Sequence, residues 1–132
     1  MLEARVNWTD ADRFVGTASS SHALVTDAGE RKTASSPLEL VLIGLCACTC
    51  SDLVSILRKK REAFTAVEVR AQTERAPEPP TVFTKIRLVY KVTGKVARKS
   101  IEDAIRLSQQ KYCSVSAMLQ KTATITTEIE TG

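Results

Sequence analysis

The sequence predicts an α+β protein with the element order β-β-β-α-β-β-α-β, its mostly antiparallel strands covering the helices. Three observations predict it. Six short stretches alternate apolar with polar residues or are bounded by turn formers, as half-buried strands are. One long segment, 37–61, runs without an interior proline and is apolar nearly all round between 40 and 50. A second segment, 97–111, places Ile101, Ala104, Ile105 and Ser108 at helical spacing. At 132 residues the default is a single domain, 1–132.

The elements follow in chain order. "LEARVNW" at 2–8 alternates cleanly. "RFVGTASS" and "SHALVTD" read as two further strands, punctuated by Gly16 and by the turn-forming "DAG" at 27–29. A loop, "ERKTASS", leads to a helix start with a mechanism. Ser36 can cap, Pro37 suits the first turn, and Glu39 stands three after Ser36 as in a capping box. Gly44 inside this helix costs about 1 kcal/mol relative to alanine, which suggests a close neighbour there. In the next two strands Val67, Val69 and Ala71 share one face, and Ile86, Leu88, Tyr90 and Val92 share another. "KYCSVSAML" continues or restarts the second helix, and "TATITTEIE" forms the last strand. A helix apolar on every side needs cover on two sides, so a homodimer is expected.

Composition narrows the function. The net charge of +4 is modest, and the basic residues are scattered apart from "RKKR" at 58–61, which suits a helix C-terminus. No basic–aromatic interleaving points to nucleic acid. The N-terminal residues show no apolar targeting core, and the run 40–50 is too short to span a bilayer, so neither a membrane nor export is expected. The expectation is a cytoplasmic protein whose four cysteines stay reduced unless redox chemistry is their task.

Three of those cysteines lie in "LCACTCSDL". On a helix turning about 100° per residue, Cys46 and Cys50 share a face, and Cys48 lies about 200° from Cys46. The three cannot converge on one metal, and a closed zinc site needs four ligands. The lone His22 has nothing tying it to the group, so no metal is expected. Cys46 and Cys50 read as small core residues. Cys48 instead shares its side of the helix with Asp52 and Ser55, a polar strip suggestive of a cleft or an interface. Cys113 stands in polar surroundings and reads, by itself, as a core residue at a helix end.

"SPLELVLIGLCACTCSDLVSIL" taken with "KYCSVSAML" resembles the OsmC/Ohr superfamily, the osmotically inducible and organic hydroperoxide resistance proteins, and within it the YhfA-type branch. Pro37 plus eleven is Cys48, Leu40 and Gly44 match the family pattern, and Cys113-Ser114-Val115-Ser116 stands where the second cysteine motif falls. The resemblance implies an OsmC-like fold: antiparallel sheets on two central helices, in an intertwined homodimer. It implies thiol peroxidase chemistry in oxidative-stress defence. Cys48 would attack an organic hydroperoxide, Cys113 would resolve the sulfenic acid to a disulfide, and a dithiol reductant would restore both. No cofactor is needed. It also implies a carboxylate and an arginine beside the thiol. Glu39 is the nearest match to the carboxylate, though it lies nine residues before Cys48, about 180° round a straight helix. Arg13 is the arginine candidate, with Arg5 and Arg31 as rivals. Asp52 is a third supporting residue; ionised and unpaired, it would raise the thiol pKa. Two alternatives use the same cysteine pair: a non-catalytic dimer that binds a small molecule, and a redox sensor.

Overall fold

The computed structural model describes residues 1–130. The chain forms two compact units, 1–43 and 44–132. The first holds β1 (Ala4–Asp10), β2 (Arg13–Ala18) and β3 (Ala23–Asp27), an antiparallel meander in the order β1-β2-β3. Its tight β1–β2 turn places Ala11 at a φ of 47° and is held by Trp8, whose Nε1 donates to the Ala11 carbonyl at 2.9 Å.

The loop after β3 is built on one carboxylate. Asp27 accepts from the Gly29 amide at 2.8 Å, the Thr33 amide at 3.0 Å and the Thr33 hydroxyl at 2.8 Å. Hydrogen bonds to the charged form favour it. The Thr33 amide first, then the Gly29 amide and the Thr33 hydroxyl, hold Asp27 down at about 2. The loop delivers Ser36 to the start of α1 (Pro37–Lys59), where the capping box forms as expected. The Ser36 amide donates to Glu39 Oε1 at 2.8 Å, and the Glu39 amide donates to Ser36 Oγ at 3.1 Å.

The second unit carries β4 (Ala63–Arg75), β5 (Phe83–Lys95), α2 (Arg98–Leu107), a π-helical turn (Ser108–Tyr112), α3 (Ser114–Leu119) and β6 (Thr124–Glu130). "KYCSVSAML" therefore restarts a helix. The sheet order is β4-β5-β6. The β4–β5 pair is a long antiparallel hairpin, and β6 pairs with β5 in parallel, within the expected mostly antiparallel arrangement. The reason is topological. The helices between β5 and β6 form a crossover that returns the chain to the end where β5 began, and a crossover delivers a parallel neighbour.

The core of this unit sits between one stripe of α1 and β5. Leu45, Thr49, Leu53 and Leu57, four residues apart, are the buried positions of α1. They share the interior with Ile86, Leu88 and Tyr90 of β5 and with Ile101, Ala104 and Ile105 of α2. Each large apolar side chain so buried contributes about 1.5–3 kcal/mol.

The expectation that α1 is buried on every side does not hold within one chain. Val41 is 40% and Ile43 54% exposed, and nothing lies within 4 Å of where a Gly44 Cβ would stand. One chain has core partners for only one stripe of the helix. By length and composition alone α1 could also cross a membrane. The run 40–50 understated its apolar length, because the helix extends well past it.

The loop's dependence on Asp27 has a pH signature. The folded pKa is depressed, so its contribution to stability is present above the ordinary carboxylate value of 3.8 and is lost as pH falls through about 2. Carboxyl 13C NMR should show Asp27 titrating near 2.

Candidate active site

Residues four apart on α1 share a face, so Cys48 and Asp52 stand one above the other. The third member comes from the far end of the unit. The π turn after α2 widens the helix by one residue per turn, and the Cys113 amide closes it by donating to the Ser108 carbonyl at 2.8 Å. Cys113 then leaves the helix with φ −78° and ψ 100° and caps α3, its sulfur accepting from the Ser116 amide at 3.3 Å. The sulfurs of Cys48 and Cys113 and a carboxylate oxygen of Asp52 all lie within 4.8 Å of one another.

The two sulfurs are not equivalent. Cys113 is 3% exposed, whereas Cys48 is half-buried. Burial first, then a hydrogen bond with Cys48, push the Cys113 thiol up to about 12 against the opposing pull of the Ser116 amide. Cys113 thus holds its proton at neutral pH. Both are free thiols. A disulfide needs the sulfurs at about 2.05 Å, so the pair stands close but unbonded.

Behind the triad runs a buried polar chain whose direction can be deduced. Ser108 Oγ donates to Asp52 Oδ2 at 2.8 Å. A hydroxyl has one hydrogen. With its hydrogen committed, Ser108 accepts from Thr49 at 2.9 Å, and Thr49 in turn accepts from the Tyr90 hydroxyl at 2.8 Å. Tyr90 accepts from Gln109 Nε2 at 3.1 Å. Gln109 Oε1 accepts from Ser116, whose oxygen accepts from Gln120 Nε2 at 3.0 Å. Every donor points towards Asp52. Burial pushes the Tyr90 phenol up to about 12, which keeps it a donor. Thr49, Tyr90, Ser108 and Ser116 are fully buried, yet no buried side-chain nitrogen or oxygen among the described residues lacks a partner.

Of the residues singled out in the sequence, Cys48, Cys113 and Asp52 come together. Glu39 is engaged in the capping box. Arg13 belongs to the first unit, where its guanidinium pairs with Asp10 through Nε at 3.0 Å and through a second, shorter contact. Cys46 and Cys50 are half-buried rather than fully buried; burial, with the neighbouring Cys50 adding to it for Cys46, pushes both thiols up. The polar chain went unrecognised in the sequence. Ser108 and Tyr90 read there as members of apolar rows, and their hydroxyls on otherwise apolar faces were the signal. As metal donors, Cys48, Cys113 and Asp52 are three, one short of a closed zinc site.

Fold and site together define a two-cysteine α+β protein, one sulfur on the long helix and the other capping a short later one. The OsmC-like protein family pattern matches residues 29–128. Protein YhfA of Escherichia coli (strain K12) is 38% identical over 130 residues, covering 98% of this chain and 97% of that protein. The crystal structure of a hypothetical protein from Aquifex aeolicus VF5 superposes with a TM-score of 0.85 at 28% identity, covering 100% of this chain and 98% of that one. The organic hydroperoxide resistance protein OhrB of Bacillus subtilis shares the fold, with a TM-score of 0.71 at 14% identity over 98% of each chain. This chain belongs to the OsmC-like protein family.

Tyr90→Phe should keep the packing but break the polar chain, removing the hydroxyl that donates to Thr49 and accepts from Gln109. The expected loss is about 1–3 kcal/mol, read as a lower urea midpoint at unchanged slope.

Proposed function

We propose that this protein is a cysteine-based peroxidase of organic hydroperoxides, working as a cytoplasmic homodimer in defence against oxidative stress. The observation that carries the reading is the unequal Cys48–Cys113 pair: a half-buried sulfur within 4.8 Å of a buried one held protonated. The accessible thiol is the one a hydroperoxide can reach. The thiolate of Cys48 attacks the O–O bond; an S–O bond forms, the alkoxide leaves as the alcohol, and Cys48 becomes a sulfenic acid. Cys113 attacks that sulfur, an S–S bond forms, and water leaves. A dithiol reductant then exchanges with the disulfide and restores both thiols. The chemistry runs on sulfur alone and calls for no metal or organic cofactor.

The decisive experiment gives reduced protein one equivalent of cumene hydroperoxide. Intact mass and thiol counting should show rapid loss of two thiols, mapping to Cys48–Cys113, and no such loss in Cys48→Ser. A dithiol should then sustain peroxide consumption. Survival of all four thiols in excess peroxide would sink the peroxidase reading. A disulfide that forms but is not turned over would favour a sensor.

The dimer is supported by α1, whose Val41 and Ile43 are uncovered in the single chain. Apolar surface of this kind marks an interface. Sedimentation should find two chains per particle, and Val41→Lys with Ile43→Lys should give one. A wild-type protein that sediments as a single chain removes the dimer.

A further inference from the structure

The two chemical steps share a problem that the sulfurs alone do not solve. Each releases an oxygen that leaves best with a proton, and each begins from a thiol that must lose one. Cys113 is the harder case, because its buried thiol holds its proton tightly. A group that can take a proton from either sulfur must reach both.

Asp52 is that group by position. One of its carboxylate oxygens lies within 4.8 Å of both sulfurs. No cation pairs with it among the described residues, whereas Asp10 and Asp103 are each taken up by ion pairs. Its one described hydrogen bond comes from Ser108, the last donor of the chain that begins at Gln120. That chain supplies Asp52 with a donor and offers it no acceptor. The hydroxyls thus hold the carboxylate as an acceptor facing two thiols.

We propose that Asp52 is a catalytic residue, the carboxylate that carries a proton from each thiol to the oxygen that leaves, with Ser108 as its positioning residue. This rests on the peroxidase reading and goes beyond it by assigning the proton transfers. In the first step the Cys48 proton passes to Asp52, sulfur attacks the hydroperoxide oxygen, and the O–O bond breaks. The alkoxide takes the proton back from Asp52 and leaves as the alcohol. In the second step the Cys113 proton passes to Asp52, and Cys113 sulfur attacks the sulfenic sulfur. The S–O bond breaks, and hydroxide takes the proton and leaves as water. The two cysteines lose two electrons to the hydroperoxide. The titratable groups around Asp52 are Cys48 on its own helix, Cys113 ahead of α3 and, through two hydroxyls, Tyr90 on β5.

The test uses two oxidants. Cumene hydroperoxide follows both steps. The aromatic disulfide DTNB loads Cys48 as a mixed disulfide without any peroxide, and release of the second thionitrobenzoate then reports attack by Cys113 alone. Quenched samples are mapped by mass to the Cys48–Cys113 bond. Asp52→Asn keeps an acceptor for Ser108 but cannot carry the proton. It should slow closure about 10²–10⁴-fold with either oxidant and should lose the acid limb of the pH–rate profile. Ser108→Ala should slow closure less and displace that limb, and Ser108→Thr should restore both. If peroxide is inert towards the wild type while Asp52→Asn still slows closure with DTNB, the peroxidase reading falls and the role of Asp52 towards Cys113 stands. Closure at the wild-type rate in Asp52→Asn with DTNB overturns the proposal. Should Asp52→Asn fail to fold, an unchanged pH profile in Ser108→Ala overturns it instead.

Discussion

One hydrogen bond sets the chemistry of this interior: the Ser108 hydroxyl donating to Asp52. Buried hydroxyls must find partners, because leaving one unpaired costs about 1–3 kcal/mol. Once Ser108 commits its hydrogen, the Thr49 hydroxyl must donate to it and the Tyr90 hydroxyl must donate to Thr49. Thr49, Tyr90, Gln109, Ser116 and Gln120 fall into line behind it. The chain ties α1 to β5, the π turn and α3. It therefore fixes how the turn carrying Cys113 is held against the helix carrying Cys48.

The π turn is the other half of that arrangement. An ordinary α-helical turn would carry 108–113 onward along the axis of α2. The extra residue per turn lets the chain leave the helix at Cys113, with its amide still bonded and its sulfur free to cap α3. Burial then separates the two thiols chemically. The sulfur on α1 keeps partial exposure, and the sulfur at the cap loses it. Two residues of one type thus stand in different surroundings.

The carboxylates divide in the same way. Glu39 closes a capping box, Asp27 organises the loop before α1, and Asp10 holds Arg13 at a hairpin turn. These three have structural partners. Asp52 alone among the carboxylates discussed stands at the cysteine pair, held by a hydroxyl instead of a cation. The apolar face of α1 raises a separate demand. A helix this apolar with a single buried stripe calls for a second surface, and that demand comes from its composition.

The sequence by itself determined the element order, the helix start at Ser36–Glu39 and the pairing of Cys48 with Asp52 on one face. It did so because these are local facts: periodicity, capping and the helical turn act over a few residues. The likeness of two cysteine motifs brought Cys113 into the same account, although nothing local linked it to Cys48. Tertiary structure decided the rest. It made β6 parallel, because a crossover sets strand direction. It committed Glu39 and Arg13 to structural partners. It turned Thr49, Tyr90 and Ser108, which pattern alone placed among apolar residues, into a directed chain of hydroxyls. Hydrogen-bond direction propagates only through groups already packed together, across 41 residues between Thr49 and Tyr90 and 59 between Thr49 and Ser108. No pattern confined to neighbouring residues can carry it.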